Sequence, residues 1–138
     1  MNDKTIIGRI EEIDLPEFGI FGIEAKIDTG AFNSAIHCTN VVEKEIDGKK
    51  VLQFTFLDET HPQFNGKFYE AHDFRKSIVR RSNTSKERRY QIKTFAVIAG
   101  REVEMILNLS NRSGMSMPVL VGRSSLSGNF LVDVSKKV

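Results

Sequence analysis

The sequence predicts an all-β fold, a small barrel or sandwich built from short strands closed by hairpins. Three observations predict it. Apolar, β-branched and aromatic residues alternate with polar ones in short runs; the runs are separated by pairs of Asn, Asp and Gly; and no window of a dozen residues carries a clear helical period. The runs are Thr5 to Ile13, Phe21 to Ile27, Val51 to Leu57, Tyr90 to Ile98 and Val103 to Leu109. Between them lie Asp47-Gly48, Asn65-Gly66, Ala99-Gly100 and Asn111-Arg112-Ser113-Gly114, where Asn, Asp and Gly tolerate a positive φ and so favour hairpins. The continuous apolar run Pro118 to Val121 reads as a strand buried on both faces. One short helix is expected after Gly122, starting near Arg123. The polar stretch Ser82 to Glu87 reads as the most flexible part of the chain.

A chain of 138 residues suits one compact domain, so residues 1–138 are expected to form a single unit. No apolar run approaches the roughly 20 residues that a membrane helix needs. The N-terminus Met1-Asn2-Asp3-Lys4-Thr5 lacks the apolar stretch of a secretory signal, which makes the cytoplasm the default location. The lone Cys38 excludes an internal disulfide and a cysteine-rich zinc site within one chain. It reads as a small buried hydrophobe, and the ten Phe residues, among them Phe54, Phe56, Phe95 and Phe130, read as core.

Charge is unevenly placed. The chain totals +2, yet Arg75 to Arg89 holds seven basic residues, Arg75, Lys76, Arg80, Arg81, Lys86, Arg88 and Arg89, against the single acid Glu87. That stretch is +6 and the remainder of the chain is therefore −4. It reads either as a solvated hairpin or as a surface for an acidic partner. Nucleic acid and acidic peptide are the competing partners, with Arg80, Arg81, Arg88 and Arg89 as candidate contacts, and the lack of stacking aromatics among these cations weakens the single-stranded nucleic-acid version.

The chemistry concentrates in two segments. The first is Ala25-Lys26-Ile27-Asp28-Thr29-Gly30-Ala31-Phe32-Asn33-Ser34-Ala35-Ile36, an apolar strand running into Asp-Thr-Gly-Ala and then Ser. The second, with Gly122 standing 94 positions after Asp28, is Pro118-Val119-Leu120-Val121-Gly122-Arg123-Ser124-Ser125-Leu126. Together they resemble the two ordered signatures of the retropepsin-like aspartic proteases. The whole pattern, through Asn129-Phe130-Leu131-Val132-Asp133, is similar to a bacterial family labelled ATP-dependent zinc proteases, a label tied to its association with glutamate-adding ATP-grasp peptide ligases, and that association implies an acidic peptide as the partner of the basic stretch. The resemblance implies a closed small β-barrel of the acid-protease type. It implies that Asp28 is catalytic, supported by Thr29, Gly30, Ala31, Ser34, Gly122 and Arg123. Thr29 would hydrogen-bond across a two-fold axis, Gly30 would let the backbone approach the carboxylate and adopt dihedrals closed to other residues, and Gly122 would let the buried strand pass close beneath the loop. Retropepsins close over substrate with a hairpin flap; here the corresponding region is longer, and both Phe64-Asn65-Gly66-Lys67 and the basic stretch are candidates.

An aspartic site needs two carboxylates close enough to share a proton. This sequence has one Asp-Thr-Gly: Asp133 lies in an apolar run without a following Thr-Gly, Asp47 is in a turn and Asp73 precedes a Phe. A working enzyme must therefore be a homodimer with one Asp28 from each chain. No cofactor is expected. The inherited label raises zinc, but His37, Cys38, His61 and His72 do not form a His-Glu-x-x-His pair, and the adjacent His37 and Cys38 would point to opposite faces of a strand, so no metal site is expected. The alternative is a non-catalytic module of the same fold that binds a peptide, a ribosomal component or an ATP-grasp ligase.

Overall fold

The computed structural model describes residues 3–80, 82–112 and 117–137. In chain order the elements are β1 (Thr5–Ile7), β2 (Ile10–Leu15), a 3-10 turn (Pro16–Phe18), β3 (Ile20–Ile27), β4 (Ser34–Ile46), β5 (Lys49–Phe56), β6 (Tyr69–Ala71), β7 (Arg75–Arg80), β8 (Lys86–Ile98), β9 (Arg101–Ser110), β10 (Val119–Val121), α1 (Arg123–Leu126) and β11 (Phe130–Val132). The fold is all-β with a single short helix among the described residues. No helix among them is long and apolar enough to cross a membrane.

Six strands close into a barrel in the order β10, β3, β2, β8, β9, β4, with β4 returning to β10. Alternation explains its interior. Along β8, Tyr90, Ile92, Thr94, Ala96 and Ile98 are buried, and the first four stand opposite the buried Leu109, Leu107, Met105 and Val103 of β9. Phe95 has the other parity and is half-exposed, so it is not core, and Phe21, Phe32 and Phe68 are exposed. Phe54, Phe56 and Phe130 are buried as expected, the first two meeting Phe18 edge-on while Tyr69 stacks on Phe54 and tilts against Phe56.

Two annexes grow from the ring. β5 and β6 extend from β4, and β7 pairs with β8, from Arg75 opposite Gln91 to Arg80 opposite Lys86. The basic stretch is thus a hairpin, and Lys86 and Glu87, read from the sequence as part of a flexible loop, are strand residues. The Ala99-Gly100 and Asp47-Gly48 turns have positive φ at both residues and join β8 to β9 and β4 to β5. Gly66 also has a positive φ, but no strands flank Asn65-Gly66, which sits in a long connection. The Asn111 to Gly114 signal lies partly outside the described residues.

The strands depart from the sequence reading in two places: one run is divided, and β4 matches none of the alternating runs. The run Thr5 to Ile13 is two strands, because at Gly8 and Arg9 the chain leaves a two-stranded sheet (β1 parallel to β11) and enters the barrel. The C-terminal segment crosses there, with the Lys136 carbonyl oxygen 2.3 Å from where a Gly8 Cβ would stand and accepting the Arg9 N–H at 2.7 Å. The 13-residue β4 carries no single alternating face: its first half is buried in the barrel and its second half is a charged ribbon beyond a bulge at Asn40, where φ is 54°.

Candidate active site

Asp28 follows the last residue of β3. The Asp28 N–H donates to the Val121 carbonyl at 2.9 Å, so β3 and β10 stay zipped in parallel up to the carboxylate. The chain then turns tightly. Ala31 N–H reaches back to the Asp28 carbonyl at 3.3 Å, and Gly30 N–H donates to Asp28 Oδ1 at 2.9 Å. A Cβ on Gly30 would stand 3.2 Å from that oxygen, and Gly30 does not have a left-handed φ. Close approach to the carboxylate, rather than an unusual dihedral, is what favours glycine there.

The second signature locks onto this turn from below. A Cβ on Gly122 would lie 2.4 Å from the Asn33 carbonyl oxygen and 2.7 Å from that of Phe32, which only glycine avoids. Gly122 N–H donates to Ser34 Oγ at 3.0 Å, and Ser34 is fully buried. Arg123 N–H donates to the Ala31 carbonyl at 2.8 Å and Ser124 N–H to that of Phe32 at 2.9 Å. The Arg123 guanidinium donates to the Thr29 carbonyl at 2.9 Å and lies 5.9 Å from the centre of the Phe32 ring. Residues 94 positions apart thereby form one rigid unit. Packing this tight has a cost: Asn33 Oδ1 and Ser124 Oγ are buried without a hydrogen-bond partner.

The surface of this unit is open. Asp28 is half-buried while Thr29 and Gly30 are exposed, and the Phe32 ring is 60% exposed beside them. Asp28 Oδ2 has no partner among the described residues. A lone carboxylate in this position can hold or release one proton, but it cannot activate a water and protonate a carbonyl at the same moment.

The other sequence candidates sort differently. Arg88 and Arg89 are exposed on opposite faces of the β7–β8 hairpin, Arg88 opposite Ile78 and Arg89 opposite Ser77, with Arg89 3.6 Å from Glu87. Arg81 and the side chain of Arg80 lie outside the described residues. Among the described residues none of these cations bonds to the Asp28 loop. Asp133 falls one residue past β11 and caps a turn by accepting from the Ser135 N–H and hydroxyl, which holds its carboxyl below the usual range. Asp47 sits in its hairpin turn.

His37 has a role that the sequence reading missed. It is buried on β4, its Nε2 lies 2.7 Å from Asp58 Oδ2, and its Nδ1 accepts the Arg112 N–H at 2.8 Å. The accepting Nδ1 fixes the tautomer with the proton on Nε2, donated to Asp58. Its own N–H donates to the Pro118 carbonyl, so one residue ties the loop after β5 to both ends of the connection between β9 and β10. Both ring nitrogens are engaged. Cys38 beside it is buried, which pushes its thiol well above the ordinary range, and His61 Nδ1 accepts the Gln63 N–H. Among the described residues no three His, Cys, Asp or Glu side chains converge to hold a metal ion. Asp58-Glu59-Thr60 was a local signal for this cluster, since Asp followed two residues later by Thr closes an Asx turn, here through the Thr60 N–H at 2.9 Å.

With the barrel and the Asp28–Gly122 crossing described, comparison with known proteins is direct. Residues 6–138 match the model of the RimB-like family, described as retropepsin-like aspartic endopeptidase RimB. The chain belongs to that family. This RimB-like chain is 33% identical over 139 residues to a Shewanella pealeana protein named "Probable alpha-L-glutamate ligase" and 34% identical to one of the same name from Shewanella halifaxensis. Each alignment takes in 98% of this chain and 30% of the relative, so the chain spans about 30% of the length of the curated relatives it matches. A Legionella pneumophila protein of unknown function shares the fold, with a TM-score of 0.70 at 24% identity over 98% of this chain and 97% of that one.

Two outcomes test this geometry. Because the atoms that a Gly122 Cβ would strike are backbone, Gly122→Ala should destabilise the protein by roughly 3 kcal/mol or more in thermal or urea unfolding. A wild-type-like transition would mean that the loops can separate freely. The second concerns Asp58, whose carboxyl is held down at about 2 by hydrogen bonds from the Thr60 hydroxyl and N–H and from His37. Its unfolded value is about 4, so its stabilisation is full above that pH and is lost as pH falls toward 2. Asp58→Asn should flatten the fall of the urea midpoint across that window, whereas an unchanged fall would put the acid sensitivity elsewhere.

Proposed function

We propose that this chain is a single retropepsin-like domain acting as an aspartic-type peptide hydrolase, a homodimer whose protomers each contribute Asp28, with acidic or glutamate-tailed peptides as substrates. The observation that carries the reading is the Asp28 carboxylate held at the crossing of the two signatures, with one oxygen tied to its own loop and the other without a partner among the described residues. As the sequence has no second Asp-Thr-Gly, the complementary carboxylate comes from a second copy. The exposed Thr29, Gly30 and Phe32 beside Asp28 suit a partner's loop, with Thr29 hydrogen-bonding across the axis.

In that dimer the two carboxyls share one proton and titrate as a coupled pair, since like charges so close resist joint ionisation. The ionised member takes a proton from a water as its oxygen attacks the scissile carbonyl carbon. The protonated member gives its proton to the carbonyl oxygen. Collapse of the tetrahedral intermediate breaks the C–N bond, and a proton passes to the leaving amine.

The β7–β8 hairpin is the candidate flap, because it leads into the long barrel strand β8 between the two signatures, whereas residues 64–67 form no hairpin. A flap with this charge favours an acidic chain. The names of the relatives, glutamate ligases of which this chain matches about 30%, support a glutamate-bearing substrate. They also favour a second reading, in which the barrel is a non-catalytic module working beside a peptide ligase.

Asp28→Asn separates the two: we expect at least about a thousandfold loss of peptide cleavage with an unchanged circular dichroism spectrum. Sedimentation should show a dimer under conditions where cleavage occurs, and a strictly monomeric protein that still cleaves would sink the paired-carboxylate mechanism. For substrate preference, Arg88→Gln should raise KM for a glutamate-rich peptide roughly three- to tenfold, with a smaller effect at high salt. Equal KM values would remove Arg88 from recognition.

A further inference from the structure

Glu43 and Lys76 join two hairpins that share no backbone pairing. Lys76, on β7, faces the same side as Tyr90 and Arg88 of β8, while Glu43 lies on the outer ribbon of β4, past the Asn40 bulge. The Lys76 ammonium is 3.0 Å from Glu43 Oε1 and 3.2 Å from Oε2, so it engages both oxygens. The Glu43 carboxyl is held below the usual range by that hydrogen bond, with Lys76, Lys50 and Arg88 adding their charge. A glutamate carboxylate therefore already rests on a lysine of the hairpin with the largest positive charge.

Building on the acidic-peptide reading, we propose that Lys76, with Arg88 on the same face of the hairpin, forms a carboxylate subsite that Glu43 fills in the free protein and that a substrate glutamate takes over. The physical case is one of exchange. The two side chains are 31% and 21% exposed, so solvent and ligand reach the pair, and a partly exposed lysine–carboxylate pair is weak in water. Lysine offers a point charge with rotatable donors and does not select one carboxylate geometry over another. An incoming glutamate has the same acceptor atoms as Glu43, so it can replace it without leaving a buried charge unpaired. Displacing Glu43 also releases the β4–β5 ribbon from the β7–β8 hairpin, which couples binding to movement of the hairpin.

Calorimetric titration of Asp28→Asn protein, which cannot turn the peptide over, tests this with hexaglutamate and hexaglutamine as probes. Adding Glu43→Gln should tighten hexaglutamate roughly three- to tenfold and leave hexaglutamine unchanged. Adding Lys76→Gln as well should abolish the gain. A second measurement leaves Glu43 in place: in a carboxyl NMR titration, saturating hexaglutamate should move the Glu43 pKa back up toward the ordinary value as Lys76 is withdrawn. If hexaglutamate binds but Glu43→Gln weakens it or leaves it unchanged, or if the Glu43 titration does not respond, the pair is only a brace and the subsite is overturned. If Asp28→Asn protein binds no hexaglutamate, the acidic-peptide reading falls with it.

Discussion

The structure depends on one close approach, the backbone of Gly122 lying against the carbonyls of Phe32 and Asn33. With no side chain at that point, β10 can slot between β3 and β4 and close the ring. The same contact delivers Ser34 Oγ to the Gly122 N–H and the Arg123 guanidinium to the Thr29 carbonyl. Barrel closure and the posture of Asp28 are therefore one event. A buried hydrogen bond of this kind contributes about 1 kcal/mol net, while leaving its N–H unpaired would cost up to about 3 kcal/mol, so the crossing tolerates little slack.

Charge is organised by the hairpins. The net charge of the chain is small, but the β7–β8 hairpin concentrates cations beyond the ring, and the pairs formed there, Lys76 with Glu43 and Arg89 with Glu87, are at least partly exposed. Exposed pairs contribute little to stability. In the proposed hydrolase their significance lies in recognition, since the field of a cationic hairpin would steer and orient an acidic chain. His37 contrasts with them. It is buried with both ring nitrogens engaged, and it ties the loop after β5 to the connection between β9 and β10.

Most of the ring was legible from period-two alternation, because the ring strands other than β4 bury one face, as β8 and β9 do. The outer half of β4 was not: Glu43-Lys44-Glu45 forms a ribbon held by cross-strand pairing, and no hydrophobic pattern marks it. The break at Gly8 was hidden for a different reason, since the cause is the Lys136 carbonyl, far away in sequence. For the site, Asp28, Gly30 and Gly122 stood out as motif positions, whereas the pairing of His37 with Asp58 and of Glu43 with Lys76 was marked at most by the Asx turn at Asp58. Their geometry arises from packing between elements that are not sequence neighbours.

The sequence by itself determined the strand-rich character, the glycine turns, the solitary Asp-Thr-Gly and the separation of two signatures that have to meet. These are local properties, fixed by side-chain period and backbone sterics within a few residues. Only the tertiary structure decided how close the signatures approach, which face of the basic hairpin holds Lys76 against Glu43, and that His37 is a brace. Those outcomes rest on distances between residues as many as 94 positions apart, and such distances are set when the barrel closes and not before. Asp28 belongs to both accounts, chosen by its motif and aimed by Gly122.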